Sequence, residues 1–243
     1  MNSVLEGLAP FGQALLAYHN GDSEAVLQLR WDVGVEAELP VSTFFERPEA
    51  GGTVEQAALA RAAGSVLDVG AGSGRIALAL QTRGLSVTAM DWLPEACDVM
   101  RSRGLTVLEG DLWTSSVAPR ADTVLVLMNG TSVAGSYEGL QGILARLKGL
   151  MLPEGRILID STDPTHPEVD WADPGDGRRL GELHLQMGFD GMWGPPVPQL
   201  FVSPDELQVA ARQQGLSCQV VATDEDGRYL AELTRPLGRP VSP

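Results

Sequence analysis

The chain has 243 residues, 44% of them hydrophobic and 20% charged, which suits one α/β domain with an added lid or two small domains. A formal net charge of −15 argues against a nucleic-acid partner, because phosphate binding needs clustered Lys and Arg.

In chain order, the spacing of Val4, Leu5, Leu8, Phe11, Leu15 and Leu16 predicts a helix over 4–18, weakened by Pro10 and Gly12. Alternation through Val26–Trp31 and again Val35–Val41 predicts two strands joined near Asp32–Gly34. TVEQAALARAAG predicts a short helix with Thr53 as its N-cap. From residue 65 the pattern turns regular, with apolar strands at 65–70, 86–92, 106–113, 121–130 and 156–163. Helical segments at 73–84, 94–104 and 136–151 separate most of them. Five apolar strands with intervening helices predict a parallel sheet covered on both faces. DPTHPEVDWADPGDGRR predicts a loop, GELHLQMGFDG and VPQLFVS an inserted strand pair, and SPDELQVAARQQG a helix with a Ser203–Glu206 capping box. LSCQVVATDEDGRYLAELTR predicts a hairpin turning at Asp226–Gly227, with a frayed tail at 236–243. The fold expected is α/β: a doubly wound, mostly parallel seven-stranded sheet ending in an antiparallel hairpin. Residues 1–60 form an N-terminal cap, 61–235 the main domain, and 164–202 an insert within it.

The stretch VLDVGAGSG carries the chemistry. Gly70, Gly72 and Gly74 give G-x-G-x-G with Arg75 at the sixth position, so a dinucleotide fingerprint lacks its third glycine. Asp68 stands two residues before the turn. A pyrophosphate gains nothing from a carboxylate there, whereas a cationic amino-acid group does. Asp91 ends the second regular strand, twenty-one residues after Gly70, where it can accept both hydroxyls of a ribose. Trp92 can lie on an adenine face. Asp111 in GDLW can accept the adenine amino group while Leu112 donates its backbone N–H.

With Asp68, the glycine turn, Asp91 and Asp111 on three successive strand ends, the chain resembles the class I S-adenosylmethionine-dependent methyltransferases. VLDVGAGSG is similar to their first motif, TAMDW to their ribose-binding strand end and LEGDLW to their adenine-binding motif, over about residues 60–163 and 203–235. The resemblance implies S-adenosylmethionine as cofactor and methyl transfer as activity. It also implies that Gly70, Ala71 and Gly72 bring backbone to the cofactor's amino-acid end, with Asp68 orienting that loop or meeting the ammonium through water.

The acceptor side is less marked. Asn129, in MNGTSVAG, can orient the acceptor or the cofactor, or serve as an Asn-Gly turn residue. The Asn-Pro-Pro-aromatic signature of amino-group methyltransferases is absent. His166 is a possible base on a loop, and His184 a possible acceptor contact. Tyr18, closing the first helix, is a possible aromatic contact from a lid. Trp31, Phe44, Phe45, Trp171 and Trp193 gather in the two segments outside the regular pattern, as for an apolar acceptor pocket, and Arg47, Arg178 and Arg179 are available to a carboxylate. Cys97 and Cys218 lack metal-ligand spacing, so no metal is expected. The first residues show no basic n-region or cleavage site, and no apolar run reaches about 18 residues.

These features predict a cytoplasmic methyltransferase acting on a small molecule, with no nucleic-acid or membrane partner. A non-catalytic protein that binds S-adenosylmethionine or S-adenosylhomocysteine, as sensor or assembly partner, is the alternative. A nicotinamide oxidoreductase ranks below it.

Overall fold

The structure is a computed structural model describing residues 2–48, 52–114, 118–169, 171 and 174–236. The chain begins with helix α1 (Asn2–His19), then strands β1 (Val26–Trp31) and β2 (Glu36–Pro40), and a 3-10 turn at Val41–Phe44. A regular alternation follows: α2 (Thr53–Arg61), β3 (Ser65–Val69), α3 (Arg75–Thr82), β4 (Ser86–Asp91), α4 (Pro94–Ser102), β5 (Thr106–Glu109), β6 (Ala121–Val126), α5 (Tyr137–Leu150) and β7 (Met151–Thr162). Three strands come next, β8 (Glu182–Phe189), the short β9 (Met192–Trp193) and β10 (Val197–Leu200), then α6 (Pro204–Gln213), β11 (Ser217–Thr223) and β12 (Arg228–Thr234).

Among the described residues, seven strands form one sheet in the order β11-β12-β7-β6-β3-β4-β5. The pairs from β7 to β5 are parallel, while β12 runs antiparallel to β7 and β11 to β12. Strand side chains alternate between two buried layers. Leu67, Val69, Val124, Val126, Ile157 and Ile159 face the side covered by α5 and α6. Val66, Leu125 and Leu158 face the side of α2 and α3. Burial on both faces explains why these strands read as continuous apolar runs. The chain leaves β3 in one direction to reach β4 and returns to β6 on its other side. The carboxyl ends of β3, β4 and β6 therefore border a crevice at a topological switch point.

The remaining strands form a second sheet, ordered β10-β8-β1-β2 with β9 paired to β8, antiparallel throughout. The N-terminal strands and the inserted strands are thus one sheet. Its apolar face shares a core with α1 and with Leu93 and Ala96 at the start of α4. Helix α1 is held close on two sides by glycines. A Cβ on Gly7 would collide with Val197 and stand 2.6 Å from the Pro195 carbonyl, and one on Gly12 would stand 2.9 Å from Glu95 of α4.

Several boundaries differ from the sequence expectation, each for a local reason. The N-cap of α2 is Gly52, with Thr53 already helical, and its side chain makes no cap hydrogen bond. Strand β5 stops at Glu109 rather than running to Trp113, because Asp111 turns the chain by accepting the Trp113 N–H at 2.9 Å. Strand β6 stops at Val126, since Met128 and Asn129 take left-handed φ of 65° and 59°. Strand β7 starts at Met151, directly after α5, and absorbs PEG through a register shift against β6. The capping box of α6 forms, with the Glu206 N–H donating to Ser203 Oγ and the Ser203 N–H to Glu206 Oε2. The tail expected at 236–243 lies, from residue 237 on, outside the described residues.

Candidate active site

The glycine turn is built by hydrogen bonds to the neighbouring strand. The N–H groups of Gly70 and Ala71 donate to the Met90 carbonyl at 2.9 and 3.1 Å, fixing the turn to the end of β4. The Asp91 carboxylate then joins two elements: Oδ2 accepts the Gly72 N–H at 2.9 Å and Oδ1 the Leu93 N–H at 3.0 Å. Burial pushes its pKa up, and the amide donors oppose that shift. Gly74 is the position where glycine is required. Its φ is +77°, and a Cβ there would run into Leu105 and stand 2.9 Å from Met100 Cγ. Close packing of α3 against α4 and the residue that leads into β5 is met at the fifth position of the motif, although the sixth is Arg75.

Asp68 is 3% exposed and its Oδ2 is buried without a partner. Burial, with repulsion from Asp91 next, raises its pKa to about 7, against the Ala77 N–H and the Arg75 charge. Arg75 is itself closed off by a buried ion pair with Glu55, whose Oε2 accepts from Nη1 at 2.9 Å.

On the far side of the crevice, Met128 and Asn129 form a left-handed corner. Neither is glycine, so the corner carries strain held by its surroundings. Asp160, fully buried at the end of β7, accepts the Gly130 N–H at 2.8 Å, and Arg228 reaches its other oxygen at 3.3 Å. Asn129 Oδ1 accepts from Thr162 Oγ1 at 2.8 Å, so a hydrogen bond that Asn129 gives into the crevice comes from its amide nitrogen.

The glycine turn and the Met128–Asn129 corner line a cavity of about 650 Å³, within the range of small-molecule and cofactor sites. The carboxylates Asp68, Asp91 and Asp111 all border it. So do the backbone of Gly70, Ala71 and Gly72, and Trp92, Leu112 and Asn129. The opposite wall comes from the second sheet and α1. Trp31, Leu185 and Val197 are cross-strand neighbours over β1, β8 and β10, and Leu29 pairs with Met187, so one apolar row follows another. Val4, Leu8 and Phe11 follow one face of α1 onto the same cavity.

Other predicted acceptor-side residues lie elsewhere. Tyr18 is on the same helix face as Phe11 but two turns on, about 10 Å further, where its ring packs on Phe45 at 4.6 Å. His166 packs at Gly227 of the β11–β12 hairpin, and its Nδ1 accepts the Glu168 N–H. His184 points away from Leu183 and Leu185, into a partly exposed group with Asp32 and Arg178 at 3.0 and 2.8 Å. Arg179 lies on the Tyr137 ring, and Trp193 under Arg30. Trp31 and Phe44 do line the cavity, while Trp171 stands behind it, ring to ring with Phe201. Burial pushes the thiols of Cys97 and Cys218 up to about 12 and about 11, so both remain protonated at neutral pH. Among the described residues there is no group of three His, Cys, Asp or Glu side chains able to hold a metal, and no helix long and apolar enough to cross a membrane.

Sequence reasoning passed over Phe11, Met128, Trp113 and the aliphatic wall. Trp113 is 46% exposed at the cavity rim, with its ring against Gly142. The alternation in β1 and β8 marks both as one-sided strands, but no local signal says that they pair.

The polar end suits an S-adenosyl group. Asp68 Oδ2 is an orphaned acceptor beside the glycine turn, a Cβ on Gly70 would meet open space, and each Asp91 oxygen keeps a lone pair beyond its amide donor. No family model and no curated protein matches the chain. Solved structures do. A SAM-dependent methyltransferase from Bacteroides fragilis, in complex with S-adenosyl-L-homocysteine, is 32% identical over 96% of this chain and 97% of its own, with a TM-score of 0.85. The DhpI–SAH complex shares the fold at 18% identity, covering 98% of this chain and 100% of its own, with a TM-score of 0.63. The sugar N-methyltransferase KedS8 from Streptoalloteichus shares it at 15%, covering 79% and 88%, with a TM-score of 0.56. With that likeness across nearly the full length of both chains, this protein belongs to the SAM-dependent methyltransferases, enzymes whose methyl donor is S-adenosylmethionine.

Proposed function

We propose that the protein methylates a small, largely apolar molecule held between the glycine turn and the second sheet. The observation that carries this reading is the continuity of the 650 Å³ cavity from the three carboxylates to the aliphatic wall. A chamber of that size, roofed by a sheet and a helix, favours a small acceptor over a macromolecule, and the net charge of −15 disfavours nucleic acid. In this reading residues 1–60 and 164–202 make the cap and the rest of 61–235 the cofactor domain.

S-adenosylmethionine brings an electrophilic methyl on a cationic sulfur. The chain's task is to hold that end and the acceptor in line and to keep water out. Asp91 accepts the ribose hydroxyls while its amide donors keep the carboxylate fixed. Asp68 faces the cationic amino-acid group. Asp111 and Leu112 hold the adenine edge, with Trp92 beside it. Asn129 positions the acceptor or the amino-acid end from the strained corner that Asp160 fixes. Tyr18 and His166 lie outside the cavity lining, so this reading gives neither of them a contact with the reactants.

The test is label transfer. Purified protein is incubated with methyl-labelled S-adenosylmethionine and the low-mass fraction of a cell extract. Label appearing in a small, organic-extractable product supports the reading. Tight cofactor binding with label confined to the donor or to macromolecules would sink it.

A further inference from the structure

The acceptor end of the cavity carries no side chain that takes a proton at neutral pH, among the described residues. The titratable groups lining the cavity are Asp68, Asp91, Asp111 and Arg75, and all belong to the glycine turn or to the ends of the strands beside it. Arg75 is occupied by Glu55. Opposite them Leu185, Met187 and Val197 are each more than nine-tenths buried in an apolar wall. The polarity of that end comes from Asn129, Gln199, Ser132 and the Trp31 indole, none of which is a base. The three histidines are engaged elsewhere, His19 with Ser102, His166 at the hairpin and His184 with Asp32.

This arrangement discriminates between nucleophiles. An alcohol or phenol must lose a proton as it attacks, and without a positioned base it forgoes about 10²–10⁴-fold in rate. An alkylammonium or sugar hydroxyl can find hydrogen bonds here, but it too must lose a proton to attack, and no base at this end takes it. A thiolate needs no such base. Thiols ionise near neutral pH without an enzyme base, at about 8.5 for an ordinary alkyl thiol. Its charge also disappears during transfer, since thiolate and sulfonium become two neutral sulfides. An apolar, low-dielectric surround favours a reaction that destroys charge.

Resting on the small-molecule reading above, we infer that the acceptor is an apolar thiol that reacts as its thiolate. The thiol proton goes to water before attack. The acceptor sulfur forms its bond to the methyl carbon as the bond from that carbon to the donor sulfur breaks. The electron pair of that bond stays on the donor sulfur, leaving S-adenosylhomocysteine and a methyl thioether.

The experiment gives the full-length protein and S-adenosylmethionine matched aryl acceptors: thiophenol, phenol and aniline. Thiophenol is expected to exceed both others in kcat/KM by about 100-fold or more. Across para-substituted thiophenols, the pH midpoint of kcat/KM should follow the thiol's own pKa. A readout without turnover is calorimetry of methyl phenyl sulfide with the S-adenosylhomocysteine complex. Its affinity should fall about tenfold or more in Leu185→Glu, where a charge enters the wall, with S-adenosylhomocysteine still bound. Should that variant fail to fold, the wild-type series decides alone. Phenol or aniline equalling thiophenol overturns the inference. So does a pH midpoint that stays fixed as the thiol changes, because it reports an enzyme base. No product from aryl or alkyl thiols, with S-adenosylhomocysteine binding intact, overturns it as well. Label transfer to the extract then shows whether small-molecule methylation itself still stands.

Discussion

The Phe11 and Phe44 rings meet edge to face with centroids 4.9 Å apart, and a Cβ on Gly72 would stand 3.8 Å from the tip of Phe11. One side chain of α1 thus touches both the glycine turn and the segment that follows β2. Phe11 lines the cavity between the glycine turn and the second sheet.

Phe11→Ala is therefore expected to lower kcat/KM for the acceptor by about 30–100-fold, equivalent to about 2–3 kcal/mol. Tyr18→Ala should change it by less than about threefold. Steady-state kinetics on the two variants checks this, and a larger effect at Tyr18 would place the lid contact at the helix end instead.

Asp91→Ala removes the acceptor of two backbone N–H groups as well as the proposed ribose contact. Affinity for S-adenosylhomocysteine should weaken by about 1.5–3 kcal/mol, or roughly 10–150-fold. Calorimetry on the folded variant measures it, and unchanged affinity rules out the ribose role.

Asp68 gives a pH signature. Its pKa of about 7 in the free protein lies above the usual carboxylate value. A neighbouring ammonium favours the carboxylate, so cofactor binding near pH 6.5 should release a proton, and affinity should rise with pH up to about 7. Calorimetry in buffers of different ionisation enthalpy detects this release, and Asp68→Asn should abolish it. The stability of the free protein moves the other way. A raised folded pKa contributes stability below the unfolded value, and that contribution is lost as pH climbs through about 7. Asp91 and Asp160, also pushed up by burial, act in the same direction. Free protein should melt lower at pH 8 than at pH 5.5 by this account, with the cofactor narrowing the gap.

The left-handed corner separates two roles. Asp160→Ala strips the partner from the Gly130 N–H and from Arg228, and should destabilise the protein by about 2–3 kcal/mol. Asn129→Gly suits the 59° φ but loses the bond to Thr162, so stability should change by less than about 1 kcal/mol. If turnover in Asn129→Gly falls tenfold while the melt barely moves, the side chain positions a reactant. If neither moves, Asn129 serves the turn alone.

Gly74→Ala tests the substitute for the missing third glycine. Left-handed strain and collision with Leu105 and Met100 should together cost about 2–4 kcal/mol. Denaturant unfolding measures it. A neutral result would show that α3 can back away from α4 and β5.

Local sequence determined the cofactor half of this protein. Strand, glycine turn and helix follow one another within a few residues, and burial on both faces writes the strands as apolar runs. Asp68, Gly70, Gly72 and Asp91 are therefore legible in the sequence as the ends of adjacent strands. Tertiary structure alone decided the apolar wall opposite the glycine turn. Trp31 and Leu185 are more than 150 residues apart in sequence, yet they pair across β1 and β8 and form one wall. Alternation says that each strand has an apolar face, but the identity of the surface that covers it depends on long-range pairing. The same limit applies to the aromatic residues of α1. Phe11 and Tyr18 share a face of α1, and only the length of helix lying over the cavity selects between them. Asp160 reads as a polar strand tip, and its burial under Gly130 and Arg228 comes from two other parts of the chain.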